Sequence, residues 1–417
     1  MGALLIVAAL AAQATTPGGS TSSTSTDTAA TKINQGTTTY VDLEGGVGYS
    51  SNPLLSVVND EGSAFGRVSL HAVHTRVSTR STTLLSGYAE NVSYTNHHGS
   101  QQSANFYGRH DAAVSEHVRL FGDASATYQE GGQLDTRILG LPVVPPPIPG
   151  GTVTPPILIL PSGDFLSVTG RTYSFGAHGG GTFALGQHDS LSLSSGVDHV
   201  VLHSGLTSTN YTTIPVSLAY DRQLSPRTTV GARVTAQNTE YNGPASFRVI
   251  TPQATGRVLL AESVTLSGAL GVSFARIDDG LTVRDSTGVA ADANLCGQGE
   301  ASYFCARVAA DEQTATTAGP ARSLSAGIDY SQRLDADQSI QFSLGATHYS
   351  TPISVVTGRS FSSASYYRAA MAYSRTFAPR LFGGVNLAAR KVTQNGPDPK
   401  TDLNASLFIR YRFGDIQ

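Results

Sequence analysis

The 417-residue chain has a formal net charge of −3, and only 14% of its residues are charged, against about 25% in an average soluble domain. A near-neutral balance excludes a nucleic-acid binder, which needs a clustered basic surface against phosphate. An apolar content of 40%, with no run in the body of the chain near the roughly 18 residues of a membrane helix, excludes a helical membrane protein. Low charge with middling hydropathy suits a barrel that shows half its residues to lipid and half to water.

The first segment, "MGALLIVAALAAQA", reads as a signal peptide over 1–14, with a short apolar run and an A-x-A cleavage site at Ala12-Gln13-Ala14. Residues 15–36, rich in Ser, Thr and Gly, lack the apolar surface needed to fold and read as a flexible periplasmic lead-in. Over 37–417 one pattern repeats. A segment of about 12 to 16 residues alternates apolar and polar side chains, a turn follows, and another alternating segment begins.

In chain order the predicted strands open with "TTYVDLEGGVGY", "GRVSLHAVHTRV", "TTLLSGYAENVSY", "ANFYGRHDAAV" and "HVRLFGDASATYQ". They continue with "TYSFGAHGGGTFAL", "DSLSLSSGVDHVVL", "TTIPVSLAYDRQL" and "TTVGARVTAQNTEY". The rest are "SFRVITPQATGRVLL", "VTLSGALGVSFAR", "ARSLSAGIDYSQRL", "SIQFSLGATHYS", "SYYRAAMAYSRTF", "RLFGGVNLAARKV" and the closing "LNASLFIRYRF", sixteen in all. Every other link is tight, as in "STRS", "VSEH" and "LSPR". The remaining links are longer or variable, the longest being about 40 residues each over 130–170 and 278–321. This parity predicts an all-β, transmembrane, antiparallel up-and-down barrel of about sixteen strands, with short periplasmic turns and long extracellular loops.

Projected by phase, Arg67, Arg109, Arg119, Arg233, Arg257, Arg333, Arg368, Arg410 and Arg412 point into the lumen. So do Asp42, Glu44, Asp111, Asp123, Asp198, Asp221 and Asp329. Such a mixed set, with a slight basic lean, makes ion-pair ladders that stiffen the wall or a path for a hydrated or anionic solute. Only Lys32, Lys391 and Lys400 among the 27 basic residues are lysine. This excess of arginine reads first as the codon usage of a GC-rich genome and second as selection for guanidinium forks that grip carboxylates.

Cys296 and Cys305, the two cysteines, share the predicted outside loop over 278–321. In an oxidising compartment a disulfide that braces this loop is expected, since metal binding would require further ligands. The Pro-rich, uncharged stretch over 139–162 could cap the mouth, fold into the lumen, or offer a docking surface. His97 and His98 are expected to be solvated in a short outside loop. There is no G-x-S-x-G, no H-E-x-x-H and no phosphate loop, so no catalytic residue, metal or cofactor is assigned and the chain reads as a non-enzyme.

At "VDLEGGVGYSSNPLL" the first strand runs into a Ser-Asn-Pro loop. With the repeated hairpins behind it, this resembles the β-barrel porin 2 family, outer-membrane proteins associated with exopolysaccharide or capsule production. The final strand, with Phe413 followed by "GDIQ", resembles the C-terminal aromatic signal read by the barrel-insertion machinery. The resemblance implies a bacterial outer-membrane channel for polysaccharide export. Its partners would be outer-membrane lipid and lipopolysaccharide, the insertion machinery and a periplasmic polysaccharide-export protein, with no nucleic acid. A general diffusion porin for small solutes and a structural or adhesive barrel with a closed lumen are the other readings.

Overall fold

The structure is a computed structural model, and it describes residues 36–55, 61–96, 98–130, 171–204, 207–278, 280, 282–315, 319–350, 363–394 and 400–415. The expectations for the signal peptide, the lead-in, the Pro-rich stretch and His97 lie outside these residues. Among those described there are eighteen strands and no helix. They are β1 (Gly36–Ser50), β2 (Ser63–Val77), β3 (Ser81–Tyr94), β4 (Ser100–Ala113), β5 (Val118–Glu130) and β6 (Arg171–Ala184). Next come β7 (Asp189–Ser204), β8 (Thr207–Ser225), β9 (Thr228–Tyr241), β10 (Ser246–Ala261), β11 (Val264–Asp278) and β12 (Val283–Gln298). The last are β13 (Ser302–Ala315), β14 (Gly319–Arg333), β15 (Gln338–Ser350), β16 (Ala364–Ala378), β17 (Leu381–Gln394) and β18 (Asp402–Gly414).

Each strand pairs antiparallel with its neighbours in sequence, and β1 pairs with β18 from Tyr40↔Gly414 to Ser50↔Asn404, so the sheet closes on itself. Closure is what lets a sheet stand in hydrocarbon, because it removes the two free edges that an open sheet would show to lipid. The two ends are tied as well. Thr39 N donates to Asp415 Oδ2 at 2.6 Å, and Asp415 N donates to Thr39 O at 2.9 Å.

Sixteen strands match the predicted segments. The other two, β12 and β13, correct the expected count and divide what reads as one loop over 278–321. Their hairpin turns at 299–301, on the same rim as the other short turns. This overturns the placement of the cysteines outside the cell. Cys296 and Cys305 face each other across β12 and β13 and are bonded, at the short-turn end of the barrel.

The outward phase carries the large apolar residues, including Leu266, Leu270, Val272 and Phe274 on β11 and Leu403, Leu407, Ile409 and Phe413 on β18. Leu270, midway along β11, is 64% exposed. A continuous apolar exterior on a closed ladder makes sense only against lipid.

Several inward aromatic rings lie over glycines of the adjoining strand. A Cβ built on Gly384 would come within 2.8 Å of the Phe408 ring, and one on Gly180 within 2.8 Å of the Phe121 ring. Phe408 breaks the apolar-outward phase of the last strand for this reason: it packs flat on the inner wall, and Gly384 leaves it the room. Gly271 serves a different contact, since its missing side chain admits the carbonyl of Pro252, where the β10–β11 pairing is interrupted at Thr251 and Pro252 without a change of register.

Candidate functional site in the barrel lumen

All sixteen charged residues assigned to the inward phase lie on it in the structure, and seven of them pair with one another: Arg412 with Asp42, Arg410 and Arg67 with Glu44, and Arg109 with Asp111. Arg412 grips Asp42 with Nε at 2.7 Å and Nη2 at 2.8 Å, and its guanidinium sits 4.0 Å over the Tyr40 ring. Arg410 donates twice to Glu44 Oε2, at 3.0 and 2.7 Å. The other oxygen of Glu44 takes Arg67, whose Nε lies 3.7 Å from Glu90 on β3. A ladder of alternating charge therefore crosses β18, β1, β2 and β3, spanning the seam where the barrel closes. Charge-assisted, forked bonds of this kind fix side-chain orientation as well as adding energy.

Three strands beyond this ladder, His178 of β6 bridges two carboxylates, with Nδ1 3.1 Å from Asp123 Oδ1 and Nε2 3.1 Å from Asp198 Oδ2. Gly196 makes the bridge possible, because a Cβ there would fall on the imidazole. Arg233 donates to Gln253 Oε1 at 2.7 and 3.0 Å and to Asp292 Oδ1 at 2.9 Å, reaching from β9 to β12 across the concave wall. Asp221 accepts from Thr255 at 3.5 Å. Arg109 pairs with Asp111 on its own strand at 2.8 Å. Asp329 lies 3.9 Å from Arg307, and Arg368 donates to Ser343 at 3.2 Å. Arg119, Arg257 and Arg333 stand exposed on the inward phase near the short-turn rim. Arg333 reaches the Glu300 carbonyl at 3.5 Å.

Phase reading missed Glu90, His178, Asp292, Arg307, Arg390 and Asp402. His178, Asp292, Arg307 and Asp402 lay in segments read as loop or went unassigned, and Glu90 sits in a strand with leucines on both faces. With these additions the inward set holds eleven arginines against ten carboxylates, with His178 between two of the carboxylates.

The most completely buried carboxylate among the described residues lies at the long-loop rim. Asp402 accepts from Arg390 Nε at 2.9 Å and Nη2 at 2.6 Å, from Ser50 Oγ at 2.6 Å and from Asn52 N at 2.9 Å. Arg390 also donates to the Pro53 carbonyl at 3.2 Å, and Asn52 Nδ2 to Lys400 O at 3.2 Å. The Ser-Asn-Pro loop is thereby strapped inward, and Leu55, at φ 49°, packs against the inward Tyr366 and Val392. Also at that rim, Val200, Tyr211, Tyr241, Phe247, Val249 and Ala275 form an apolar cluster on the inner wall. The inward face is therefore not polar throughout. His98, expected to be solvated, has Nε2 3.0 Å from the Glu61 carbonyl and its ring edge-on to Tyr94.

A closed ladder, an apolar exterior and an interior of paired charges together decide where the molecule works. The chain is an outer-membrane β-barrel. No family model matches the sequence, and no curated relative does. Among solved structures it is similar to the siderophore receptor PirA from Acinetobacter baumannii, at 7% identity and a TM-score of 0.43 over 90% of this chain and 80% of that one. It is also similar to the FrpB iron transporter from Neisseria meningitidis (F5-1 variant), at 9% identity and a TM-score of 0.45 over 90% and 82%. A mutant of the ferric enterobactin receptor PfeA from Pseudomonas aeruginosa is similar at 7% identity and a TM-score of 0.44 over 91% and 81%.

Proposed function

We propose that this barrel is an outer-membrane channel for a neutral, hydroxyl-rich polymer, and that it serves exopolysaccharide or capsule export as its resemblance to the β-barrel porin 2 family implies. The observation that carries the reading is the compensated inner wall. Arg410, Arg412 and Arg67 are matched by Asp42, Glu44 and Glu90, Arg390 by Asp402, and Arg233 by Asp292. Between them stand Ser69, Ser217, Ser273, Ser325, Ser343 and Thr347. A channel built to select small ions leaves a ring of one sign exposed. A wall whose charges cancel, interleaved with hydroxyls and stacked rings, suits a solute that exchanges hydrogen bonds along its length without being trapped by a field. A periplasmic export protein that delivers the polymer is the partner this role requires.

The test is deletion of the gene followed by assay of secreted polysaccharide, with complementation by the intact chain. Loss of secreted polymer, restored on complementation, supports export. Unchanged secretion together with slower uptake of small solutes would favour the general diffusion porin, and no change in either would favour the structural barrel.

A further inference from the structure

The hairpin that sequence reading missed is also where the wall departs from a continuous cylinder. The β12–β13 register runs from Gln298↔Tyr303 only to Ala291↔Ala310. Yet β12 continues to Val283, paired throughout with β11, and β13 continues to Ala315, paired throughout with β14. Beyond Ala291 and Ala310 no ladder joins the two strands among the described residues. The fork lies on the long-loop side of the hairpin. Its depth follows from the outward residues alongside it. Val289, 66% exposed and opposite Val272, belongs to the apolar band, as do Val308 and Leu324. One pair higher, Thr287 lies opposite Phe274, and the next outward pair is Asp285 and Arg276. The base of the fork therefore lies within the outer half of the hydrocarbon band, and its upper part meets the interface.

A parted ladder at this depth is costly unless side chains, water or a ligand meet the backbone groups that face the gap. Arg322 of β14 meets one of them, donating to the Thr287 carbonyl and, at 3.2 Å, to Ser286 Oγ. It thus reaches past β13 to hold β12. The Cys296–Cys305 bond lies near the opposite, closed end of the same hairpin. It keeps the short ladder from unzipping further.

We infer that the fork between β12 and β13 is a lateral opening from the lumen to the outer leaflet, and that it admits an outer-leaflet amphiphile with acyl chains and an acidic headgroup. The chemistry around the fork matches that occupant. Val289 beside it and Leu324 on the next strand mark its apolar level, with Val308 just below its base, while Arg276 and Arg322 on the outward phase and Arg284 on the inward phase stand at headgroup level, where a lipid phosphate would sit. Lipopolysaccharide is the outer-leaflet lipid of this chemistry.

The experiment uses the full chain in membranes containing lipopolysaccharide, with a photo-cross-linking residue placed at Gly288. Gly288 is on the inward phase beside the fork. Gly327, inward on β14 and paired on both sides with Arg307 and Gly345, is the control. Lipopolysaccharide adducts several-fold more abundant at Gly288 than at Gly327 are expected. Equal yields at the two positions, or none at either, would overturn the inference. Amide exchange on the unmodified protein decides the matter if the Gly288 variant does not fold. Exchange over 287–290 at least tenfold faster than over 291–295 of the same strand supports the opening, and equal protection of the two stretches overturns it.

Discussion

Asp402 shows how much rests on single residues here. Its carboxylate is fully buried and holds Arg390, Ser50 and the backbone of Asn52 together. Removing one member of a buried pair leaves an uncompensated charge, at a cost of about 3–5 kcal/mol. Asp402→Ala should therefore destabilise the folded barrel by that order in denaturant titrations. The double variant Arg390→Met/Asp402→Leu should recover much of the loss. The same variant should free the Ser-Asn-Pro loop, visible as new protease cleavage near Leu55. Outward residues test a different term. Leu270→Arg, at mid-band, should cost about 2–4 kcal/mol, and Leu266→Arg, nearer the rim, less. Inward Ser267→Arg should be tolerated. Equal costs for Leu270→Arg and Ser267→Arg in folding titrations would refute the assigned phase.

At the scale of the element, the alternating pattern made most strands legible because lipid and lumen impose opposite chemistry on successive residues. The segment "VRDSTGVAADANLCGQ" concealed β12 because Asp285 and Gly297 interrupt its outward phase, Ala291 and Ala293 dilute it, and it holds no aromatic residue. Missing β12 and β13 put the cysteines in a loop on the wrong side of the membrane. The pairing of charges was legible only as a shared phase. Which arginine meets which carboxylate depends on register and curvature, as in the reach of Arg233 from β9 to Asp292. The corrected topology predicts that, after reduction, Cys296 and Cys305 react with a thiol reagent admitted to the periplasm and not with a membrane-impermeant reagent added to intact cells. Mass spectrometry of the peptide over 285–307 reads both outcomes. Gly196 supplies a second element-scale test. Gly196→Ala should cost about 1–3 kcal/mol, as overpacking does, when His178 is present, and little in a His178→Ala background. A cost unchanged between the two backgrounds would mean that the glycine serves something other than the imidazole.

For the whole molecule, the account joins a closed barrel, a compensated wall and a mouth narrowed by the strapped first loop. Away from Arg119, Arg257 and Arg333 at the short-turn rim, charges that cancel across neighbouring strands leave little net field along the axis, which sets this lumen apart from one lined by a ring of a single sign. The most direct measurement is single-channel recording in planar bilayers under a salt gradient, with a neutral linear oligosaccharide added to the short-turn side. The account predicts a reversal potential near zero and openings interrupted by the oligosaccharide in a concentration-dependent way. A strongly anion- or cation-selective conductance that the oligosaccharide leaves unchanged would contradict it.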